Sequence, residues 1–273
     1  MGGKALVEIE NLKVSFLDPR HPSKKIEAVK GVSLALGEGS FTSLVGESGS
    51  GKTVTGLSLA RLARPDEESG KIIWRGADIF RLSERELLDV RGKEISYVFQ
   101  DPASSFNPVL RVGAQVAEAY RAHFRADARA AAGRALEFLS AVGLKDVRRV
   151  YRSYPHQLSG GMRQRAMIAM ALISEPKLLV ADEPTTALDA DVGSEILNLT
   201  LKIKNERRLT VLFITHDMAH ASLFSDVIYV MKDGTVAERL EKGGGGFSPQ
   251  GDYTKRLFSA SFWNVPVKSI LEI

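Results

Sequence analysis

Residues 46–53 read Gly46-Glu47-Ser48-Gly49-Ser50-Gly51-Lys52-Thr53, between an apolar run that favours a strand and a run that favours a helix. Glycine adopts turn angles that a Cβ forbids, so successive backbone N–H groups can converge on phosphate oxygens. Lys52 adds a positive charge for the phosphates, and the Thr53 hydroxyl is placed to bind Mg²⁺. The spacing G-x-x-x-x-G-K-[ST] therefore predicts a nucleotide-phosphate site rather than a flexible glycine–serine loop.

The composition is that of a globular protein and excludes several classes. The 273 residues, 44% hydrophobic and 26% charged, suit one α/β domain or one domain with an inserted subdomain. No cysteine is present, which excludes disulfides and thiolate metal clusters. The 37 basic and 33 acidic residues are interspersed, so we expect no nucleic-acid partner. No apolar stretch nears the roughly 20 residues of a membrane span, and no signal-peptide pattern opens the chain, so we expect a cytoplasmic location.

Apolar and helical runs alternate along the chain. Residues 6–16 and 26–36 predict antiparallel strands around a polar loop. Later apolar runs alternate with helices, which predicts a mostly parallel sheet covered on both faces. From about 101 to 165 the chain turns alanine-rich and helical, which predicts an inserted helical subdomain. The predicted fold is an α/β P-loop NTPase core with an antiparallel β subdomain and an inserted α-helical subdomain.

Four consecutive glycines, residues 243–246, predict a mobile linker. They divide the chain into a domain of residues 1–242 and a tail of residues 243–273. A short helix is expected within that tail, at about 253–260.

Two carboxylates follow the apolar run at 178–181. Asp182, at the carboxyl end of a predicted strand, can hold Mg²⁺ directly or through water. Glu183 can orient or deprotonate an attacking water. Acidic pairs after a strand are also common as helix caps, but together with residues 46–53 they predict a phosphoryl-transfer site.

Other residues at strand ends have two or more interpretations. His216 can donate to the γ-phosphate, steady the water, or cap the next helix. With His220 it also has the spacing of a zinc-protease helix, although Asp217 stands where that motif has Glu. Gln100 can reach Mg²⁺ or remain a surface glutamine. Phe16 can stack on an adenine ring or belong to the core.

A second glycine pair occurs in Leu158-Ser159-Gly160-Gly161-Met162, at the start of a predicted helix. Ser159 can cap that helix, and the glycines expose backbone N–H groups, so the segment predicts a second anion-binding helix start. An ordinary N-cap would explain Ser159 but not the two glycines beside it.

Together these segments resemble the nucleotide-binding subunit of an ATP-binding cassette (ABC) transporter, over about residues 6–240. Residues 46–53 match the Walker A motif and 178–183 match Walker B. Residues 158–162 match the ABC signature, which ordinary P-loop proteins lack. The resemblance implies further roles: the Q-loop for Gln100, the D-loop for Ala187-Leu188-Asp189, the switch histidine for His216, and adenine stacking for Phe16.

The same resemblance implies a mechanism, cofactors and partners. The fold would be the ABC ATPase fold, with ATP and Mg²⁺ as cofactors and Glu183 as the catalytic carboxylate. Two such domains close face to face, so that each ATP lies between one Walker A motif and the signature of the other subunit. Transmembrane permease subunits and, indirectly, a solute-binding protein would complete the transporter. The ATPase would lie peripherally on the cytoplasmic face of the inner membrane.

Two segments narrow the resemblance to the oligopeptide/dipeptide/nickel importer group: residues 100–108 and 154–157. Residues 183–189 are similar to one of the two ATPase types that this group pairs, which implies a heterodimer with a sister ATPase. Many peptide-importing members carry an iron–sulfur cluster bound by cysteines, which this chain lacks. This difference favours the nickel or metal-chelate importers of the group. The expected function is the ATPase of a peptide or related importer, with a non-transport ABC ATPase and a non-hydrolysing regulatory module as rivals.

Overall fold

The computed structural model describes residues 5–186 and 188–262. Its contacts divide the chain into two compact units, the first drawn from Met1–Asp78 and Phe213–Ile273 and the second from Ile79–Leu212. The division falls within one strand, β8 (Thr210–Thr215). Within the described residues, no helix combines the length and the apolar character that a membrane crossing needs.

The first unit contains an antiparallel sheet. Its strands, in the spatial order β2-β1-β4-β5, are β1 (Ala5–Asp18), β2 (His21–Gly37), β4 (Glu67–Trp74) and β5 (Ala77–Asp78). Buried and exposed residues alternate over part of β1, as expected for a strand with one face on a core. The two antiparallel strands predicted near the start of the chain are confirmed.

A second group of strands in this unit leads to the predicted phosphate site. Strand β3 (Phe41–Val45) is wholly buried and pairs in parallel with β9 (Val227–Lys232). A tight turn joins β9 to the antiparallel β10 (Thr235–Glu241), with Asp233 and Gly234 both at positive φ, as a two-residue hairpin turn requires. The helices of the unit are α1 (Lys52–Ser58), α8 (Met218–Phe224) and α9 (Asp252–Phe262).

The glycine run does not continue as an extended linker. Gly243 and Gly246 exchange two backbone hydrogen bonds of 3.0 Å, which close a turn directly after β10. The expected tail helix follows as α9, and its apolar side chains pack on the buried cluster of the first unit. The division into a domain of residues 1–242 and a tail of residues 243–273 stays a prediction.

The second unit combines two parallel strands with helices. Strands β6 (Ile95–Val98) and β7 (Leu178–Asp182) pair in parallel. The helices are α2 (Glu84–Val90), α3 (Val112–Arg121), α4 (Ala128–Ala141), α5 (Val147–Arg152), α6 (Gly160–Leu172) and α7 (Ala190–Arg207). Small residues such as Ala131 and Ala135 are fully buried in α4, which lets neighbouring helices approach closely. The predicted helices are present, and the limits of an inserted subdomain at about 101–165 stay a prediction.

Candidate functional site

The loop of residues 46–53 has a backbone that only glycine tolerates at two points. A Cβ at Gly46 would overlap the carbonyl oxygen of Met231. Gly51 has φ +96°, and a Cβ there would overlap the carbonyl oxygen of Ala28. Helix α1 begins at the next residue, Lys52. The glycines therefore bring the loop against neighbouring backbone, as a phosphate cradle requires.

Lys52 lies inside this loop and is only 5% exposed. Its Nζ donates to the carbonyl oxygens of Gly46 at 2.9 Å and Glu47 at 2.8 Å, and lies 3.4 Å from the Ser50 hydroxyl. These oxygens curve the loop around the ammonium group. The Thr53 side chain, next in α1, is exposed. A buried cation with exchangeable oxygen partners, followed by an accessible hydroxyl, is the donor set that a magnesium-bound phosphate chain requires.

The second unit brings Gln100 and Glu183 together. Val98 pairs with Ala181 in the parallel register of β6 and β7, so the residues that follow both strands emerge at the same sheet edge. Gln100 Nε2 lies 3.5 Å from a carboxylate oxygen of Glu183, at the outer limit of a hydrogen bond. Asp182 is the last residue of β7. The predicted pair of carboxylates and the predicted glutamine thus share one end of these strands.

Glu183 has an unusual backbone and a further hydrogen-bond donor. Its φ is +44°, a left-handed value that few non-glycine residues adopt and that clusters at functional sites. The Thr186 hydroxyl donates to the Glu183 carboxylate at 2.8 Å. Thr186 was not among the site residues predicted from the sequence. The only available signal was a hydroxyl residue three positions after an acidic residue at a strand end, and that pattern is common in turns.

The glycine pair after Ser159 has both a local and a packing reason. Ser159 is the N-cap of α6, and its hydroxyl accepts a hydrogen bond from the Met162 amide at 3.3 Å. A Cβ on Gly161 would lie 3.0 Å from a methyl carbon of Val192 in α7, so close packing by itself accounts for one glycine. Among the residues that the structure describes, a Cβ on Gly160 would meet only a methyl of Leu188, at 3.7 Å. Packing against the described residues therefore does not explain why position 160 is a glycine.

Asp189 immediately precedes α7 and leaves its carboxylate out of the helix cap. It is the N-cap residue by backbone position, but its side chain makes no capping hydrogen bond. The neighbouring Ala187 of the predicted D-loop lies outside the described residues. The Asp189 side chain therefore does not stabilise the start of α7 by capping.

His216 is exposed between β8 and α8, and it does not cap that helix. Asp217 is the cap, since its carboxylate accepts from the amides of Ala219 at 2.8 Å and His220 at 3.0 Å. Burial alone would raise the pKa of Asp217, but hydrogen bonds from His220 and Ala219 outweigh it and hold the pKa below its ordinary value. The helix-cap interpretation of His216 is therefore wrong.

The zinc interpretation of His216 and His220 fails on the same geometry. Helix α8 begins at Met218, so His216 lies outside the helix on which both histidines of that motif must stand. His220 instead has its Nδ1 atom 2.8 Å from the Asp217 carboxylate. Among the residues that the structure describes, no group of three or more His, Asp or Glu side chains is arranged to hold a metal ion.

Phe16 lies near the end of β1, across from Ile26 in β2. It is half-buried, and Ile26 is 47% exposed, so this end of the sheet is open to solvent rather than enclosed in the core. An accessible aromatic face is what stacking on a base requires. The adenine-stacking role of Phe16 stays a prediction.

Comparison with known proteins gives a family and several close relatives. Residues 29–186 match the family model described as ABC transporter. The dipeptide transport ATP-binding protein DppD of Bacillus subtilis is 41% identical over 258 residues, which cover 93% of this chain and 76% of that protein. The glutathione import ATP-binding protein GsiA of Pectobacterium atrosepticum is 41% identical over 268 residues, or 94% of this chain, but this chain spans only 42% of its length.

Two solved structures share the fold. The ATP-binding cassette MJ0796, in a dimeric structure bound to ADP and Pi, is 32% identical with a TM-score of 0.78, covering 87% of this chain and 99% of that one. CbiO1 from Clostridium perfringens has a TM-score of 0.73 at 24% identity, covering 94% of this chain and 92% of that one. The likeness confirms the predicted ABC ATPase fold.

Proposed function

Because the chain belongs to the ABC transporter family of ATP-binding proteins, we propose that it is the ATP-hydrolysing subunit of an importer for peptides or a related small solute. The observation that carries this proposal is the loop of residues 46–53, with a buried Lys52 inside backbone that excludes any Cβ at Gly46 and Gly51. Cassettes of this family bind ATP, and the loop supplies a cation and convergent backbone for its phosphates.

Each predicted site residue has its own role in the proposed chemistry. A bound phosphate takes the hydrogen bonds that Lys52 now gives to loop oxygens. Thr53, Asp182 and Gln100 offer the hydroxyl, carboxylate and amide oxygens that suit Mg²⁺, which when bound neutralises charge on the transferred phosphoryl group. Glu183 accepts the proton of the attacking water, and the Thr186 hydroxyl orients its carboxylate. His216 donates to the γ-phosphate, and Phe16 stacks on the adenine.

A second subunit completes each site in this proposal. Ser159, Gly160, Gly161 and Asp189 face the nucleotide held by the partner, which accounts for a glycine at position 160 that packing does not demand and for an N-cap aspartate that does not cap. The related cassette MJ0796 is dimeric in its complex with ADP and Pi. We propose a heterodimer with a sister ATPase, bound to permease subunits on the cytoplasmic face of the membrane and served by a solute-binding protein.

The peptide assignment has more support than the nickel alternative. Relatives at 38% to 41% identity are named for dipeptide, oligopeptide and glutathione transport. The lack of cysteine, which favoured metal-chelate importers, bears on the iron–sulfur cluster and not on ATP binding or hydrolysis. Peptide import is therefore the favoured function.

Hydrolysis by this chain is tested with Glu183→Gln in MgATP turnover and nucleotide binding. We expect binding to persist, turnover to fall to background, and an ATP-bound dimer to accumulate, because the amide cannot accept the water's proton. Glu195→Gln is the matched control, since Glu195 is an exposed residue of α7 paired with Arg165 at 2.7 Å. Wild-type turnover in Glu183→Gln would remove Glu183 from its role.

The transport assignment is tested by using Glu183→Gln with ATP as bait in native membranes. Recovery of a sister ATPase and multi-spanning subunits supports the importer, and the accompanying solute-binding protein can then be screened with peptides and nickel chelates. Recovery of ribosomes or DNA-repair factors without a membrane partner would support a non-transport ABC ATPase instead.

A further inference from the structure

His216 lies on a very short connection between two elements of the first unit. Strand β8 ends at Thr215, and Asp217 is already the N-cap of α8, which begins at Met218. A single residue therefore separates the strand from the helix cap. The direction of the His216 side chain depends on the backbone angles of this residue and of its two neighbours.

Helix α8 packs against the strand that leads into the phosphate loop. Met218 and Ala221 of α8 belong to the same buried cluster as Val45, the last residue of β3 before the loop. The ring centroid of Phe224, at the end of α8, lies 6.4 Å from that of Phe41, at the start of β3. These contacts set the distance between the start of α8 and the phosphate loop.

The Thr215 hydroxyl closes a turn around His216. Its Oγ1 atom accepts a hydrogen bond from the backbone amide of Asp217 at 3.0 Å. A hydroxyl that bonds to the main chain two residues on fixes the turn at the residue between them. The Thr215 side chain is itself held in place, because it is only 3% exposed and a β-branched residue has few accessible χ1 angles.

The other side of His216 is held by the first turn of α8. The Asp217 carboxylate accepts from the amides of Ala219 at 2.8 Å and His220 at 3.0 Å, and the Asp217 carbonyl accepts from the Ala221 amide at 3.1 Å. The main chain is therefore fixed on both sides of His216, whereas the side chain of His216 is exposed.

A hydroxyl at the end of β8 is not needed for the packing of the strand. Residues 211–214 of β8 are all apolar and buried, and a valine after them would bury as well as threonine does. Burying a hydroxyl costs free energy unless it is hydrogen-bonded, and this one is bonded across His216.

We propose that Thr215 is a positioning residue: its hydroxyl fixes the turn at His216 and so directs the imidazole to the γ-phosphate. The inference rests on the proposed role of His216 and adds the residue that orients it. Because His216 acts on the γ-phosphate, Thr215 affects hydrolysis of ATP and not the binding of ADP, which lacks that phosphate.

The test is Thr215→Val in the full chain, with MgATP hydrolysis and ADP binding measured side by side. Valine has nearly the shape of threonine and favours a strand, so the change removes only the hydroxyl. Loss of one hydrogen bond predicts a kcat about 3- to 10-fold lower. The Kd for ADP should stay within about twofold of wild type. Thr215→Ser keeps the hydroxyl and should retain most of the activity.

Thr200→Val is the matched control. Thr200 is also buried, and its hydroxyl donates to the Ile196 carbonyl at 2.8 Å within α7. Each valine variant should lower the melting temperature by about 2–4 °C, but only Thr215→Val should lower kcat. An equal fall of kcat in both variants, or a Kd for ADP that rises as much as kcat falls, would mean a general loss of stability and would overturn the positioning role.

His216→Ala in the same assays separates the inference from the proposed function. Turnover lost in His216→Ala but near wild type in Thr215→Val would reject the role of Thr215 alone. Wild-type turnover in His216→Ala would reject the proposed contact of His216 with the γ-phosphate, and the inference about Thr215 with it.

Discussion

Replacing Thr186 by valine should slow ATP hydrolysis without weakening ATP binding. Valine has nearly the shape of threonine, so the change removes the hydroxyl that donates to the Glu183 carboxylate at 2.8 Å. In the proposed mechanism this carboxylate receives the proton of the attacking water, and its orientation matters in the transition state more than in the nucleotide complex.

The expected decrease of kcat follows from how far the contact between Thr186 and Glu183 is exposed to water. A hydrogen bond to a charged group contributes about 1.5–3 kcal/mol when it is shielded from water. Thr186 is exposed and Glu183 half-buried, so water replaces part of the lost interaction, and about 1–2 kcal/mol remains. That corresponds to a kcat about 5- to 30-fold lower.

The assay is steady-state MgATP hydrolysis alongside nucleotide binding, for Thr186→Val, Thr186→Ser and Thr185→Val. Serine keeps the donor and should retain most of the activity. Thr185→Val makes the same chemical change at a half-buried neighbour and should leave kcat near wild type. A kcat for Thr186→Val within twofold of wild type, or an equal loss in Thr185→Val, would refute the positioning of Glu183 by Thr186.

Three further predictions concern the loop, the cap of α8 and the anchor of α9. Gly51→Ala places a Cβ at φ +96° against the Ala28 carbonyl, so nucleotide binding should be lost; an alanine variant with wild-type Kd would contradict the cradle geometry. Asp217→Ala should lower the free energy of unfolding in urea by about 1 kcal/mol, and Asp217→Asn by less, because asparagine still caps; equal losses would argue against capping. The Glu238 carboxylate accepts hydrogen bonds from the amides of Gln250 and Gly251 at the start of α9, and the pKa of Glu238 is lowered from 4.5. Its contribution to the stability of the folded chain is therefore complete above pH 4.5 and is lost as the pH falls through the folded pKa. Glu238→Gln should therefore flatten the acid side of the melting-temperature profile, and an unchanged slope would contradict the anchor.

Several features of the site could not be predicted from the sequence, because more than one residue can satisfy the same local pattern. His216 was a candidate for the cap of the next helix, and the structure assigns that role to the following residue, Asp217. Thr186 is one of two consecutive threonines, and only the turn after Glu183 decides which hydroxyl reaches its carboxylate. Such choices depend on a few backbone angles that composition does not specify.

The largest difference between the sequence-based prediction and the structure lies in the tail, residues 243–262. Four glycines in a row favour a flexible linker, yet reciprocal hydrogen bonds between Gly243 and Gly246 make them a turn. The short helix that follows has an apolar face whose partners lie in β3, α8, β9 and β10. A sequence pattern shows that such a face must be covered but does not show by what.

By itself the sequence predicted a phosphate loop at residues 46–53, because the strand, the glycine turn, Lys52 and Thr53 are contiguous and follow the spacing of that motif. It also determined the order of strands and helices, since the apolar periodicity is local. Only the tertiary structure decided that Gln100 lies beside Glu183, 83 residues away in the chain, and that Tyr253 of α9 packs on the buried cluster that includes Val45. Those contacts arise from the register of paired strands and from the packing of a helix on a distant core, which depend on the whole fold rather than on neighbouring residues.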